Sequence, residues 1–272
     1  MKNLIKHASA GILYHSSALR KFRFNTRVLA FHKANPEYFE GQMAYLKSNF
    51  RVVPLLEAVK DLNRMQVVIT FDDGHVNTKT VVYPVLKKLG LSATVFVCYD
   101  FAEKNIFPWW DRIESANVQC DIRKLKKLPP EKIEERVFRL TGIPKQSPMP
   151  EHDHYMDWRD LEDISDVFEV GSHTTTHAVL TRISFQDAEK EISESRINIS
   201  KKTGKNILSF AYPNGDFNDD LAKAVEQAGY SCALAYRKGN NSNSTSRYKL
   251  FRRGINFADN IEVFACKVAG VF

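Results

Sequence analysis

The sequence predicts an α/β fold built on a parallel sheet, either closed into a barrel or doubly wound. Two observations predict it. Apolar runs rich in β-branched residues, such as Val67-Val68-Ile69-Thr70-Phe71 and Ala93-Thr94-Val95-Phe96-Val97, read as strands buried on both faces. Between them lies a segment of helical character, so strand, helix and strand follow in the order of a parallel crossover. The first run ends abruptly in Asp72-Asp73-Gly74-His75. That puts two carboxylates at the end of a strand where such folds carry their chemistry.

In chain order, Gly11 to His15 reads as a first short strand, and Val28 to His32 as a strand or the lead into a helix. Phe39, Met43 and Leu46 recur at helical spacing, and Arg51 to Leu55 is extended. Thr80 to Leu89 is helical, with Lys87-Lys88 in its last turn and Gly90 closing it. Residues 100–157 lose the alternation and contain Pro108-Trp109-Trp110, Pro129-Pro130 and further prolines; they read as an insertion over the sheet's carboxyl end, within a single domain 1–272. The alternation then resumes. A short helix covers 155–164, and a strand at 167–170 runs into Gly171-Ser172-His173. A charged helix spans 185–202, strands lie at 207–212 and 232–236, and helices at 221–227 and 263–268. Asn240 to Ser246 is a polar loop.

The composition, 43% hydrophobic and 11% aromatic, suits a well-buried core rather than a disordered chain. The net charge of +7 is spread in short basic pairs. It is the charge of a solvated surface, which leaves peripheral contact with a membrane open but gives no footing for nucleic-acid binding. Cys98, Cys120, Cys232 and Cys266 form no CxxC pair and call for no oxidising compartment. The amino terminus makes a poor signal peptide, and no stretch has the roughly 20 apolar residues of a spanning helix. Cytoplasmic residence is the expectation.

Adjacent side chains of a strand point to opposite faces, so Asp72 and Asp73 meet in one pocket only if the chain turns there, as Gly74 permits. Downstream, Ser172-His173-Thr174-Thr175-Thr176-His177 places two imidazoles four residues apart after another strand. On a helical turn both would share a face. Two histidines and one aspartate leave coordination positions open for water and substrate; Zn²⁺ suits that set, as do Co²⁺, Ni²⁺, Mn²⁺ and Fe²⁺. The second aspartate is then free to take a proton from water, which points to hydrolysis of an amide or ester. No GxSxG elbow supports a serine nucleophile.

Thr70-Phe71-Asp72-Asp73-Gly74 and Ser172-His173-Thr174-Thr175-Thr176-His177 resemble the first two motifs of the polysaccharide deacetylases, the NodB-homology domain of carbohydrate esterase family 4. The resemblance implies a distorted (β/α) barrel that removes N-acetyl, sometimes O-acetyl, groups from sugars. It implies Asp72 as general base and Asp73, His173 and His177 as ligands of a divalent metal. Phe210-Ala211-Tyr212-Pro213-Asn214-Gly215 is similar to the third motif. Ala211 stands where the family has an arginine that orients the base, and Asn214 where it has a tyrosine whose backbone N–H helps hold the oxyanion. Arg252 or Arg253 is a candidate substitute for that arginine. The late Leu-x-His motif is missing, and Tyr14-His15 is similar to the Tyr-His start of circularly rearranged members. His15 is therefore the candidate general acid and His32 the runner-up. Trp109, Trp110 and Tyr212 are candidate sugar contacts. The alternatives are an O-acetyl esterase or other amidohydrolase on the same scaffold, or a glycan-binding protein impaired in turnover.

Overall fold

The computed structural model describes residues 9–11, 13–14, 24–126, 128–150, 154–237 and 239–271. Its centre is one parallel sheet. The strands are β1 (Thr26–Phe31), β2 (Arg51–Val52), β3 (Gln66–Phe71), β4 (Ala93–Val97), β5 (Phe168–Ser172), β6 (Ser209–Ala211), β7 (Cys232–Ala235) and β8 (Leu250–Gly254). The order β1-β8-β7-β6-β5-β4-β3 closes because β1 also pairs with β3, giving a parallel barrel of seven strands. The two-residue β2 extends the amino-terminal end of β3. Of the two architectures the sequence allowed, the barrel is the one formed.

Strand alternation divides the core in two. Outward residues such as Leu29, Phe31, Val67, Ile69, Phe71 and Val95 pack under the flanking helices α1 (Phe39–Asn49), α2 (Tyr83–Leu89), α7 (Phe185–Thr203), α8 (Asp219–Gln227) and α9 (Ile261–Ala269). The inward residues Val28, Val68, Phe96, Ala211, Leu234 and Leu250 fill the lumen, with Val53, Leu55 and Leu62 packed in the same cluster. Fully burying each such aliphatic side chain stabilises the fold by about 1.5–3 kcal/mol, so the lumen is a packed core and not a channel. Between β4 and β5 the chain leaves the barrel to form α3 (Tyr99–Lys104), α4 (Trp109–Ser115), α5 (Pro130–Thr141) and α6 (Trp158–Asp163). The insertion expected over 100–157 therefore contains its own helices, with small cores around Phe101, Phe107 and Tyr155 and around Ile113, Leu125 and Val137.

Two elements differ from expectation. Residues 9–11 and 13–14 are helical rather than extended, and Leu13 and Tyr14 pack against Val263, Ala265 and Cys266 of α9. The strand β8 has no counterpart in the apolar pattern of the sequence, because Leu250-Phe251-Arg252-Arg253-Gly254 has two guanidinium groups where a buried strand shows apolar residues. Among the described residues no helix is long and apolar enough to cross a membrane.

Candidate active site

At the carboxyl end of β3 the inward parity of Val68 and Thr70 continues to Asp72, whose amide donates to the Phe31 carbonyl at 2.8 Å. The chain then turns one residue earlier than the sequence implied: Asp73 itself has φ 69°, and Gly74 follows with φ 78°. Two left-handed residues in succession swing Asp73 back over the barrel end, and both carboxylates line one cavity of about 640 Å³.

The imidazoles arrive by a different route from the predicted helical face. Residues 173–177 are irregular, with Thr174 at φ 70° and His177 at φ 62°. The Glu191 carboxylate of α7 pins this loop, accepting from the Thr175 and Thr176 amides at 2.8 and 3.0 Å and from the Thr176 hydroxyl at 2.7 Å. The His173 amide bonds to the Val97 carbonyl at 2.9 Å. The His177 ring lies 4.6 Å from Trp110, centroid to centroid, and stacks on Phe101 at 6.1 Å.

Asp73, His173 and His177 offer ligand atoms that all lie within 4.8 Å of one another. Asp73 Oδ1 is 3.4 Å from His173 Nε2 and 3.3 Å from His177 Nε2. It is buried and, among the described residues, has no hydrogen-bond partner. His173 Nδ1 is 2.7 Å from the Ala211 carbonyl, which can only accept, so Nδ1 carries the proton. Burial pushes the His173 pKa down to about 4, so the ring is neutral near pH 7 and Nε2 presents a lone pair. A lone pair and a carboxylate oxygen unpaired among the described residues, both buried and converging on one point, fit a cation. Two imidazoles and one carboxylate are the donor set of an open divalent site, and the Ala211 carbonyl is its orienting outer partner.

Beside this cluster, Asp72 Oδ1 accepts from Arg252 Nη1 at 2.6 Å, with the two side chains 3% and 1% exposed. Burial raises the Asp72 pKa, but the Arg252 charge, with His173 and His32, outweighs it and holds the carboxyl below its ordinary value. Arg252 rises from the lumen face of β8 and its guanidinium lies 5.6 Å from the centre of the Phe96 ring. It occupies the partnership that Ala211 leaves open. Arg253, on the opposite face, is beside Arg27 and takes no part.

His15 lies outside the described residues. His32, directly after β1, lines the cavity with Asp72 and Asp73. Trp110 lines it too. Trp109 packs edge-on against Trp110 and instead lines a second cavity of about 960 Å³ alongside. Tyr212 borders the first cavity, but the residue is fully buried, and its hydroxyl donates to the Tyr248 carbonyl at 2.9 Å. Its ring offers the cavity little exposed surface. Tyr236, 41% exposed, lines the same cavity, and strand patterning alone did not single it out. His75 is buried, with its Nδ1 accepting from the Asn77 amide at 3.0 Å. Asn214 is left-handed at φ 56° within the turn Pro213–Gly215. All four cysteines are free.

Comparison with known proteins meets this geometry from outside. A family model described as polysaccharide deacetylase matches residues 60–233, which include both aspartates, both histidines and the third motif. YxkH of Bacillus subtilis (strain 168), which carries the same family term in its name, is 24% identical over 222 residues. That match covers 79% of this chain, and the chain spans only 62% of that relative's length. The fold resembles BC0361, a polysaccharide deacetylase from Bacillus cereus, with a TM-score of 0.64 at 22% identity over 90% of this chain and 69% of the other. It also resembles the Streptococcus pyogenes deacetylase PplD solved with acetate, with a TM-score of 0.66 at 18% identity over 90% and 98%.

Proposed function

This chain belongs to the polysaccharide deacetylase family, and from that premise we propose that it is a metal-dependent hydrolase removing N-acetyl groups from a carbohydrate. The observation that carries the reading is the pairing of two differently held carboxylates. Asp72 is kept ionised by a buried arginine, while Asp73 turns an oxygen with no hydrogen-bond partner among the described residues toward Nε2 of both His173 and His177.

Asp73, His173 and His177 are the residues that hold the metal. When bound, a divalent ion, Zn²⁺ first among those that suit this donor set, supplies a water of lowered pKa and polarises the acetyl carbonyl. Asp72 takes the proton from the attacking water, with Arg252 fixing its orientation and charge. The backbone N–H of Asn214 is the donor offered to the developing oxyanion. His32 gives a proton to the leaving amine, so acetate and a free amino sugar result. Trp110 and Tyr236 are the aromatic faces against which a sugar ring packs.

The Asp72–Arg252 pair weighs against an impaired glycan-binding protein, since the base is held although Ala211 cannot hold it. The test is acetate release from N-acetylated and O-acetylated oligosaccharides by the metal-loaded chain. Asp72→Asn should retain the metal and abolish release; unchanged turnover would refute the assignment. Release from the O-acetylated set alone would redirect the reading to an esterase.

A further inference from the structure

Lys126 joins the insertion to the barrel rim. It follows the helical turn Ile122–Leu125, and its Nζ donates to Asn214 Oδ1 at 2.8 Å. Among the described residues Asn214 is the one hydrogen-bond partner of this ammonium. Both residues line the cavity of the acetyl site and also the second cavity beside it, so their bond spans the place where the two meet. Burial presses the Lys126 pKa below its ordinary value, while Asp73 and Asp216 oppose this, which puts the ammonium within the field of the metal-binding carboxylate.

Asn214 has φ 56° and ψ 0°, the left-handed conformation that costs most L-residues roughly 1–2 kcal/mol and that asparagine tolerates better than most. The next residue, Gly215, has φ 73°, and a Cβ there would fall 2.2 Å from the Tyr236 backbone nitrogen. The turn is therefore tight on one side and held on the other by its side-chain amide. Turning Asn214 out of the left-handed region would redirect its N–H, the group offered to the oxyanion.

We infer that Lys126 is a positioning residue of this site: its bond to the Asn214 side chain keeps the Pro213–Gly215 turn in the conformation the oxyanion donor requires. The inference rests on the deacetylase reading for its effect on turnover, and on geometry alone for its effect on the turn. The insertion thus does more than roof the barrel, because it supplies the group that sets the third motif.

The experiment uses the full metal-loaded chain with Lys126→Met, Lys126→Arg, Asn214→Ala and the Lys126→Met/Asn214→Ala double variant. Loss of a hydrogen bond to a charged group corresponds to about tenfold. Lys126→Met should lower kcat by about tenfold with KM within about twofold, and Lys126→Arg should restore most of it. The double variant should be no slower than Asn214→Ala. Hydrogen exchange of the backbone over 213–217 should rise by about tenfold in Lys126→Met, whether or not substrate turns over. A raised KM with intact kcat, a fully multiplicative double variant, or unchanged exchange would each overturn the inference. If the wild type releases no acetate with any divalent metal, the deacetylase reading fails, and the exchange measurement still decides the role of Lys126.

Discussion

Replacing Arg252 by Met should be among the most damaging single changes to this barrel, and its damage should depend on pH. The Arg252 side chain is 1% exposed and that of Asp72 3%. Removing one member of a buried pair leaves the other charged and unsolvated, which costs about 3–5 kcal/mol. In the wild type the Asp72 pKa lies below its ordinary 3.8, so its contribution to stability is present above the unfolded pKa and is lost as pH falls through the folded one. Without the guanidinium, burial, already the largest single influence, loses its main opponent and the folded pKa rises. The penalty is then present above the unfolded pKa and disappears once the carboxyl is protonated. Urea unfolding of the chelator-treated protein should therefore show the full loss at about pH 7 and a much smaller one near about pH 4. Asp72→Asn removes the buried charge, so the double variant should be no less stable than Asp72→Asn alone. A loss of equal size at both pH values, and equal again in the Asp72→Asn background, would show that the two residues are not energetically coupled.

His173→Ala or His177→Ala should lower the bound divalent metal measured by elemental analysis. Trp110→Ala, which unpacks the His177 ring, should weaken metal affinity by about 10–100-fold without removing a ligand. His32→Gln should lower kcat on an N-acetyl sugar by about 10²–10⁴. It should lose much less on an activated aryl acetate, whose phenolate leaves without a proton; equal losses on both would deny His32 the role of acid.

The sequence revealed the parallel alternation because β3 and β4 are buried on both faces, and such strands carry an unbroken apolar signal. Both aspartates were legible for a related reason, since they follow β3, whose end is marked by that signal; the histidines were legible from their spacing after β5, which carries Glu169 and only a broken apolar run. What the sequence concealed was backbone conformation. The turn at Asp73 and the left-handed Thr174 and His177 are non-glycine residues at positive φ, which composition does not announce. They converge only because of tertiary partners such as Glu191, distant in sequence. The strand β8 was hidden for the opposite reason. Its lumen-facing Arg252 is engaged with Asp72, so the position is polar where a buried strand would read apolar.

That hidden strand changes what an absent motif residue means. In a closed barrel every strand presents alternate residues to one lumen, so a group needed at its carboxyl end can come from any strand with the right parity. Ala211 on β6 and Arg252 on β8 face the same lumen, Ala211 packed in the inner core and Arg252 over Phe96. A small residue at 211 leaves lumen volume that a long side chain from elsewhere can cross. The guanidinium reaches Asp72 from the strand beside β1 rather than from the strand beside β5. On the proposed reading of Asp72 as the base, its orientation is a property of the lumen rather than of the third motif, and the motif's departure at Ala211 is weak grounds for inferring lost catalysis. The converse is a test of the same argument. Ala211→Arg should not improve the enzyme, because a second guanidinium in that lumen would meet Phe96 and Arg252 already in place; a gain in kcat would show that Arg252 holds Asp72 only imperfectly.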